Sequence, residues 1–70
     1  MARFEAVYYE GEQDERLPEW RVVEWTIVNP ETGGKVGKTH WKTYDMEFGE
    51  REAKEKAYWM QEVYNWEFAQ

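Results

Sequence analysis

The chain has 70 residues, and 15 acidic side chains against nine basic ones give it a net charge of −6 at pH 7. A chain of this length buries only about 60% of the surface that it exposes when unfolded, so we expect one small domain with a limited core. The sequence has no cysteine and no apolar run near the ~20 residues of a membrane span, which excludes disulfides, fits a reducing cytoplasm and predicts no membrane contact.

Aromatic residues are unusually frequent, with five Trp, five Tyr and three Phe. Each aromatic side chain can bury about 150–250 Å², so a few of them can replace a larger aliphatic core. We therefore expect a folded chain rather than a disordered one. Aromatic side chains that the fold cannot bury would form a binding surface.

The pattern of apolar and turn residues predicts six segments in chain order. They are a strand over residues 3–9, a polar loop over 11–18, a strand over 20–29, a glycine-rich turn over 30–34, a strand over 36–44 and a helix over 50–68. β-branched and aromatic residues favour the strands, and the turn separates the second and third strands as a hairpin.

The last segment changes from strand to helix periodicity. It contains no Gly or Pro, and its apolar residues recur at helical spacing. Gly49 is the predicted N-cap, and Glu50 and Glu52 suit the positive end of the helix dipole. The expected fold is one α+β domain over residues 1–70, β-β-β-α, in which the helix packs on one face of a three-stranded antiparallel meander.

One helix about 10–12 Å wide can cover only one face of three strands, which span roughly 10–15 Å. Strict alternation predicts which side chains share each face, unless a bulge or register shift rearranges them. On the core face it places Phe4, Ala6, Tyr8, Val23, Trp25, Ile27, Thr39, Trp41 and Thr43. On the open face it places Val7, Tyr9, Trp20, Val22, Val28 and Tyr44, together with Lys38, His40 and Lys42. Aromatics flanked by cations are typical of interfaces, so the open face is the predicted binding surface.

Three further aromatic residues lie on the predicted helix. Trp59 and Trp66 are at the border of its apolar arc, and we expect them to wrap around the margin of the sheet. Tyr58 points away from that arc, so we expect it to be exposed.

Residues 32–39 (TGGKVGKT) superficially match a phosphate-binding loop. The motif requires a glycine where Thr32 stands and a helix directly after Thr39, whereas the sequence there predicts a strand. These glycines are better explained as hairpin residues.

The residues needed for common catalytic and metal sites are missing. His40 is the only histidine and no serine or cysteine occurs, so neither a zinc site nor a serine or cysteine nucleophile is expected. The acids of residues 10–15 lack the spacing and the glycine of a calcium loop, so we interpret them as a solvated loop. The sequence predicts a protein that is not an enzyme and has no cofactor.

Charge is unevenly distributed along the chain. Residues 10–19 contain five acids and one arginine, whereas residues 35–42 contain three lysines and His40. Nucleic-acid-binding domains are usually net basic, and an acidic protein more naturally meets a basic partner protein. Nucleic-acid binding through the sheet and homodimerisation through its open face remain alternatives.

The chain resembles two kinds of protein from mobile elements. Residues 20–22 (WRV), 37–39 (GKT) and 48–53 (FGEREA), followed by Trp59, are similar in layout to the arm-binding domain of phage integrases, which implies a three-stranded sheet inserted in the DNA major groove. The size and acidity also resemble small phage and plasmid accessory proteins of the anti-CRISPR or anti-restriction type. That likeness implies an inhibitor, located in the host cytoplasm, that occupies a nucleic-acid-binding surface of a host complex.

The leading interpretation is a non-enzymatic protein-binding module that blocks a basic surface. Its predicted partner-binding residues combine the acidic loop, the aromatic anchors and the third strand. They are Tyr9, Glu10, Glu12, Asp14, Glu15, Trp20, Val22, Lys38, His40, Lys42 and Tyr44.

Overall fold

Three antiparallel strands and one helix make up the fold of the computed structural model, which describes residues 3–11, 18–44 and 49–68. In chain order the elements are β1 (Phe4–Tyr9), β2 (Glu19–Asn29), β3 (Gly34–Tyr44) and α1 (Glu50–Phe68). The sheet has the order β1-β2-β3. The predicted α+β fold, a β-β-β-α meander with a C-terminal helix, is confirmed.

The β2–β3 turn and the start of α1 both depend on glycine. Gly33 adopts a φ of +77°, which only glycine takes without strain, and its N–H donates to the Asn29 carbonyl at 2.9 Å. Gly49 has a φ of +83°, and its carbonyl accepts the Ala53 N–H at 2.9 Å. This is the first hydrogen bond of the helix, so Gly49 is the N-cap, as predicted.

The side chains of β2 point to the faces of the sheet opposite to those predicted. Ala6 pairs with Val22 and Tyr8 with Trp20, so Val22 and Trp20 lie on the face covered by α1. Val23 therefore faces the open side but is buried, as predicted. The residues two and four positions beyond it lie on the same side, and their predicted core position is wrong. Alternation could not decide this, because Val22 and Val23 are both apolar and are both almost fully buried, at 0% and 1% exposure.

A β-bulge in β3 changes the phase of the third strand as well. Val22 pairs with Trp41 but Val23 pairs with Thr39, so His40 is the extra residue. The His40 ring lies 5.0 Å from that of Phe4, which places it under α1 rather than on the open face. The predictions for His40 and Thr39 are therefore wrong, because the bulge ends the strict alternation on which they depended.

The outer edge of β1 is closed by two amide side chains of α1. Asn65 accepts the Phe4 N–H at 2.9 Å and donates to the Phe4 carbonyl at 3.0 Å, and Gln61 accepts the Ala6 N–H at 2.7 Å. Four helical residues rise about 6.0 Å and two strand residues about 6.8 Å, so amides at helix positions i and i+4 match alternate strand residues. This arrangement occupies three of the backbone groups that make a strand edge prone to pairing.

Asn65→Ala is expected to lower the free energy of unfolding by about 1–2 kcal/mol. The change leaves two part-buried groups of Phe4 unpaired, at a cost of about 1–3 kcal/mol, while the better helix propensity of alanine returns up to ~0.7 kcal/mol. Urea unfolding followed by circular dichroism measures the difference. Glu67→Ala, at an exposed position of the same helix, is the control and should change stability by less than about 0.5 kcal/mol.

Candidate protein-binding site

A small apolar cluster on the open face explains why Val23 is buried where no helix covers the sheet. Val23 pairs with Glu5 and Thr39, and Trp25 pairs with Gly37. A Cβ atom at Gly37 would lie 2.7 Å from both Cζ3 of Trp25 and Cγ1 of Val23, so the indole packs across the glycine. The Trp25 ring therefore covers this part of the sheet.

Polar groups hold the Trp25 ring in this position. Its Nε1–H donates to Oε1 of Glu5 at 2.9 Å, and Nζ of Lys35 lies 4.5 Å from the ring centroid. A cation at this distance is attracted by the aromatic face. We call Glu5, Val23, Trp25, Lys35 and Gly37 the Trp25 cluster.

Gly37→Ala is expected to destabilise the protein by about 1–3 kcal/mol, because the new methyl group would collide with the Trp25 ring and with Val23. Gly34→Ala is a matched control, since a Cβ there meets nothing closer than 3.4 Å. The control should be neutral or slightly stabilising, through reduced entropy of the unfolded chain. Thermal unfolding of the two variants tests the difference, and equal melting temperatures would contradict it.

The other end of the open face contains a buried carboxylate. Glu19 is only 2% exposed and forms an ion pair with Arg21. The Arg21 guanidinium also lies 4.2 Å from the centroid of the Tyr9 ring, and Tyr9 is half-buried. Arg21 is therefore already paired with an acid, which leaves less positive charge at this end of the face than the sequence suggested.

Three of the predicted binding residues lie between the sheet and α1 instead of on the open face. Val22 has no exposed surface, so it cannot contact a partner. The Trp20 ring packs 5.3 Å from Tyr8 and 5.8 Å from Tyr58, and its buried Nε1–H has no acceptor among the described residues. His40 is held by Glu24, with Nε2 and Oε1 2.8 Å apart. These three side chains stabilise the packing of the helix on the sheet.

The predicted lysines do not form one stripe. Lys42 pairs with Arg21 and lies on the open face. Lys38 pairs with Glu24, beyond the bulge, and lies on the face that carries α1. Both are exposed, as is Glu10. Their contact with a partner stays a prediction, but Lys38 and Lys42 cannot track one phosphate backbone on a single face.

Part of the predicted site lies outside the described residues. This applies to Glu12, Asp14 and Glu15 and to the side chain of Tyr44. Over residues 3–11, 18–44 and 49–68, no group of three acidic or histidine side chains is arranged to hold a metal ion.

The largest exposed aromatic side chains are on the outer side of α1. Trp59 is 64% exposed and Trp66 is 73% exposed, so the prediction that they wrap the sheet margin is wrong. At 3.6 residues per turn both project roughly opposite to the fully buried Ala57. Glu62, also exposed, lies between them on the same side. We call Trp59, Glu62 and Trp66 the helix stripe.

The seven-residue spacing of the two tryptophans was the sequence signal for this stripe. The signal was ambiguous because a broad apolar arc on α1 could have included both tryptophans. In the structure the buried part of the helix is narrower, and only Ala53 and Ala57 are fully buried. Tyr58 is 45% exposed, as predicted, although one side of its ring contacts Trp20.

The helix stripe lies in the acidic half of α1. Residues 57–68 contain Glu62 and Glu67 and no basic residue, whereas residues 50–56 contain three acids and three bases. The exposed indoles are therefore accompanied by uncompensated negative charge.

In the described part of the chain, no helix has the length and apolarity needed to cross a membrane. Comparison with protein-family models finds no match, and comparisons with curated proteins and with solved structures find no significant match. The helix stripe is therefore identified from the exposure, spacing and charge of its own residues.

Proposed function

We propose that the protein is a non-enzymatic protein-binding module that binds a basic surface of a partner through the helix stripe. The observation that carries this proposal is the exposure of Trp59 and Trp66 on one side of α1. Tryptophan is among the residues most enriched at the energetic centre of protein interfaces. Two exposed indoles about 10.5 Å apart along a rigid helix can each insert into a partner surface.

The charge of the stripe favours a cationic partner. Glu62 and Glu67 are exposed beside the indoles, and an arginine or lysine of a partner could pair with a carboxylate while stacking on an indole. A second copy of the chain fits less well, since two stripes face to face would bring Glu62 of both copies together, and residues 57–68 contain no base to compensate.

The net charge of −6 supports the further proposal that binding is inhibitory. An acidic protein is steered towards basic surfaces, many of which bind nucleic acid. A module docked there would compete directly with the nucleic acid, as a phage inhibitor of a host complex would. Competition is stoichiometric, so it requires no catalytic site.

Nucleic-acid binding through the open face has weaker support. The Arg21 guanidinium is paired with Glu19, and the exposed lysines of β3 are divided between two faces of the sheet. A gel-shift experiment at low salt distinguishes this alternative, because phosphate-driven binding is strongest there.

Affinity capture from host lysates at two salt concentrations tests the proposal. The wild type should retain a basic partner that is lost with Trp59→Ala/Trp66→Ala and weakened by salt. Ile27→Ala, which truncates an equally exposed apolar side chain on the hairpin, should retain it. Retention of the same partner by the double variant would remove the helix stripe from the function.

A further inference from the structure

The two outer edges of the sheet are treated differently by the helix. Asn65 binds the N–H and carbonyl of Phe4 in β1, and Gln61 binds the N–H of Ala6, as described above. On the other edge, residues 35–39 of β3 are all exposed, and no side chain among the described residues forms a hydrogen bond with their backbone. We call residues 35–39 the β3 edge, and we propose that it accepts an extended acidic segment of a partner protein as a fourth strand.

The bulge limits the length of this edge. The hydroxyl of Tyr64 donates to the His40 carbonyl at 3.4 Å, so α1 contacts the β3 backbone at the bulge. Five residues remain, about 17 Å of strand, which matches a typical strand length. Strand addition to an exposed edge is a recurring way in which proteins bind extended peptides.

Charge favours an acidic occupant. Lys35 pairs with Ile27 and Lys38 with Glu24, so the two lysines project on opposite faces of the sheet. Oε1 of Glu24 lies 2.8 Å from Nε2 of His40, and Glu24 forms no salt bridge with Lys38. Acids three residues apart on an incoming strand would lie opposite both lysines, and each such cross-strand pair contributes roughly 0.2–1 kcal/mol.

Apolar contacts are available between the two lysines. Val36 is 58% exposed, and the Trp25 ring lies across Gly37 on the open face. A strand residue opposite Gly37 would contact the indole, and an apolar residue opposite Val36 would bury its side chain. The β3 edge thus favours an acid, two residues of β propensity, and a second acid.

A second copy of the chain is a poorer occupant. Pairing two β3 strands would bring Lys35, Lys38 and Lys42 of both copies to one seam, and lysine on an edge strand is a common obstacle to such pairing. An acidic segment removes this repulsion.

The test is a nuclear magnetic resonance titration of the full ¹⁵N-labelled chain with a seven-residue peptide, acetylated and amidated, of repeating Glu-Val-Thr ending in Glu. We expect amide shifts and slowed hydrogen exchange over residues 35–39 at peptide concentrations below about 1 mM. Lys35→Glu/Lys38→Glu should weaken binding at least tenfold. Lys54→Glu, an exposed lysine of α1, is the matched control and should leave the affinity unchanged.

A second peptide, methylated at alternate backbone nitrogens, separates strand pairing from simple charge attraction, and it should not bind. Equal binding of the methylated peptide, shifts confined to α1, or no shifts at about 1 mM would each overturn the proposal. So would a dimer through β3, detected by light scattering, that the peptide does not dissociate. The result is independent of the helix stripe, which none of these variants changes.

Discussion

Phe4→Ala is expected to remove a large share of the folding free energy, about 3–5 kcal/mol. Phe4 is 3% exposed, and its ring lies 5.1 Å from Tyr64, 5.4 Å from Phe68 and 5.0 Å from His40. A 70-residue domain has a total stability of roughly 4–10 kcal/mol, so the variant is expected to lose about half of it.

Urea unfolding followed by far-ultraviolet circular dichroism measures this loss. Phe4→Leu retains most of the volume and should cost clearly less, which separates the packing contribution from a general intolerance of the position. A loss below about 1 kcal/mol for the alanine variant would contradict the role of Phe4 as the centre of the contact between β1 and α1.

Trp59→Ala/Trp66→Ala is expected to weaken partner binding at least a hundredfold without unfolding the protein. Truncation of a hot-spot tryptophan typically costs 2 kcal/mol or more, and about 1.4 kcal/mol corresponds to a tenfold change in affinity. Stability should change by no more than about 0.5 kcal/mol, because both indoles are mainly exposed.

Isothermal titration calorimetry with the captured partner, together with thermal unfolding of each variant, measures both quantities. Ile27→Ala should leave the affinity within about threefold of the wild type. Glu62→Gln should mainly reduce the salt dependence of binding, because it removes a charge but preserves the shape of the stripe. Unchanged affinity of the double variant would mean that the partner binds elsewhere.

The elements of the fold could be predicted from sequence because their signals are local. Gly33 and Asn29 form the turn between two β-branched segments, and Gly49 begins a helix without interior glycine or proline. The faces of β2 could not be predicted, since two adjacent valines satisfy either phase of alternation. For this reason Trp25 lies on the open face and not on the predicted core face. His40 lies under α1 and not on the predicted open face, because of the bulge.

The candidate site, like the fold, could be predicted only in part from the sequence. The excess of aromatic residues, the acidity and the lack of serine and cysteine were sufficient to favour a binding module. They could not identify which indoles are exposed, because composition counts the five tryptophans but does not show what surrounds each of them in the fold. Trp20 lies under the helix, Trp25 covers Gly37, and Trp59 and Trp66 face away from the sheet.

The sequence by itself determined the order of the elements, their approximate bounds and the separation of charge along the chain. Hydrophobic period, glycine conformation and helix capping act over a few residues, so they can be inferred without the fold. The tertiary structure alone decided the register, the bulge at His40 and the closure of the β1 edge by Asn65 and Gln61. Each of these depends on groups that are distant in sequence, such as Phe4 and Asn65, meeting at one place.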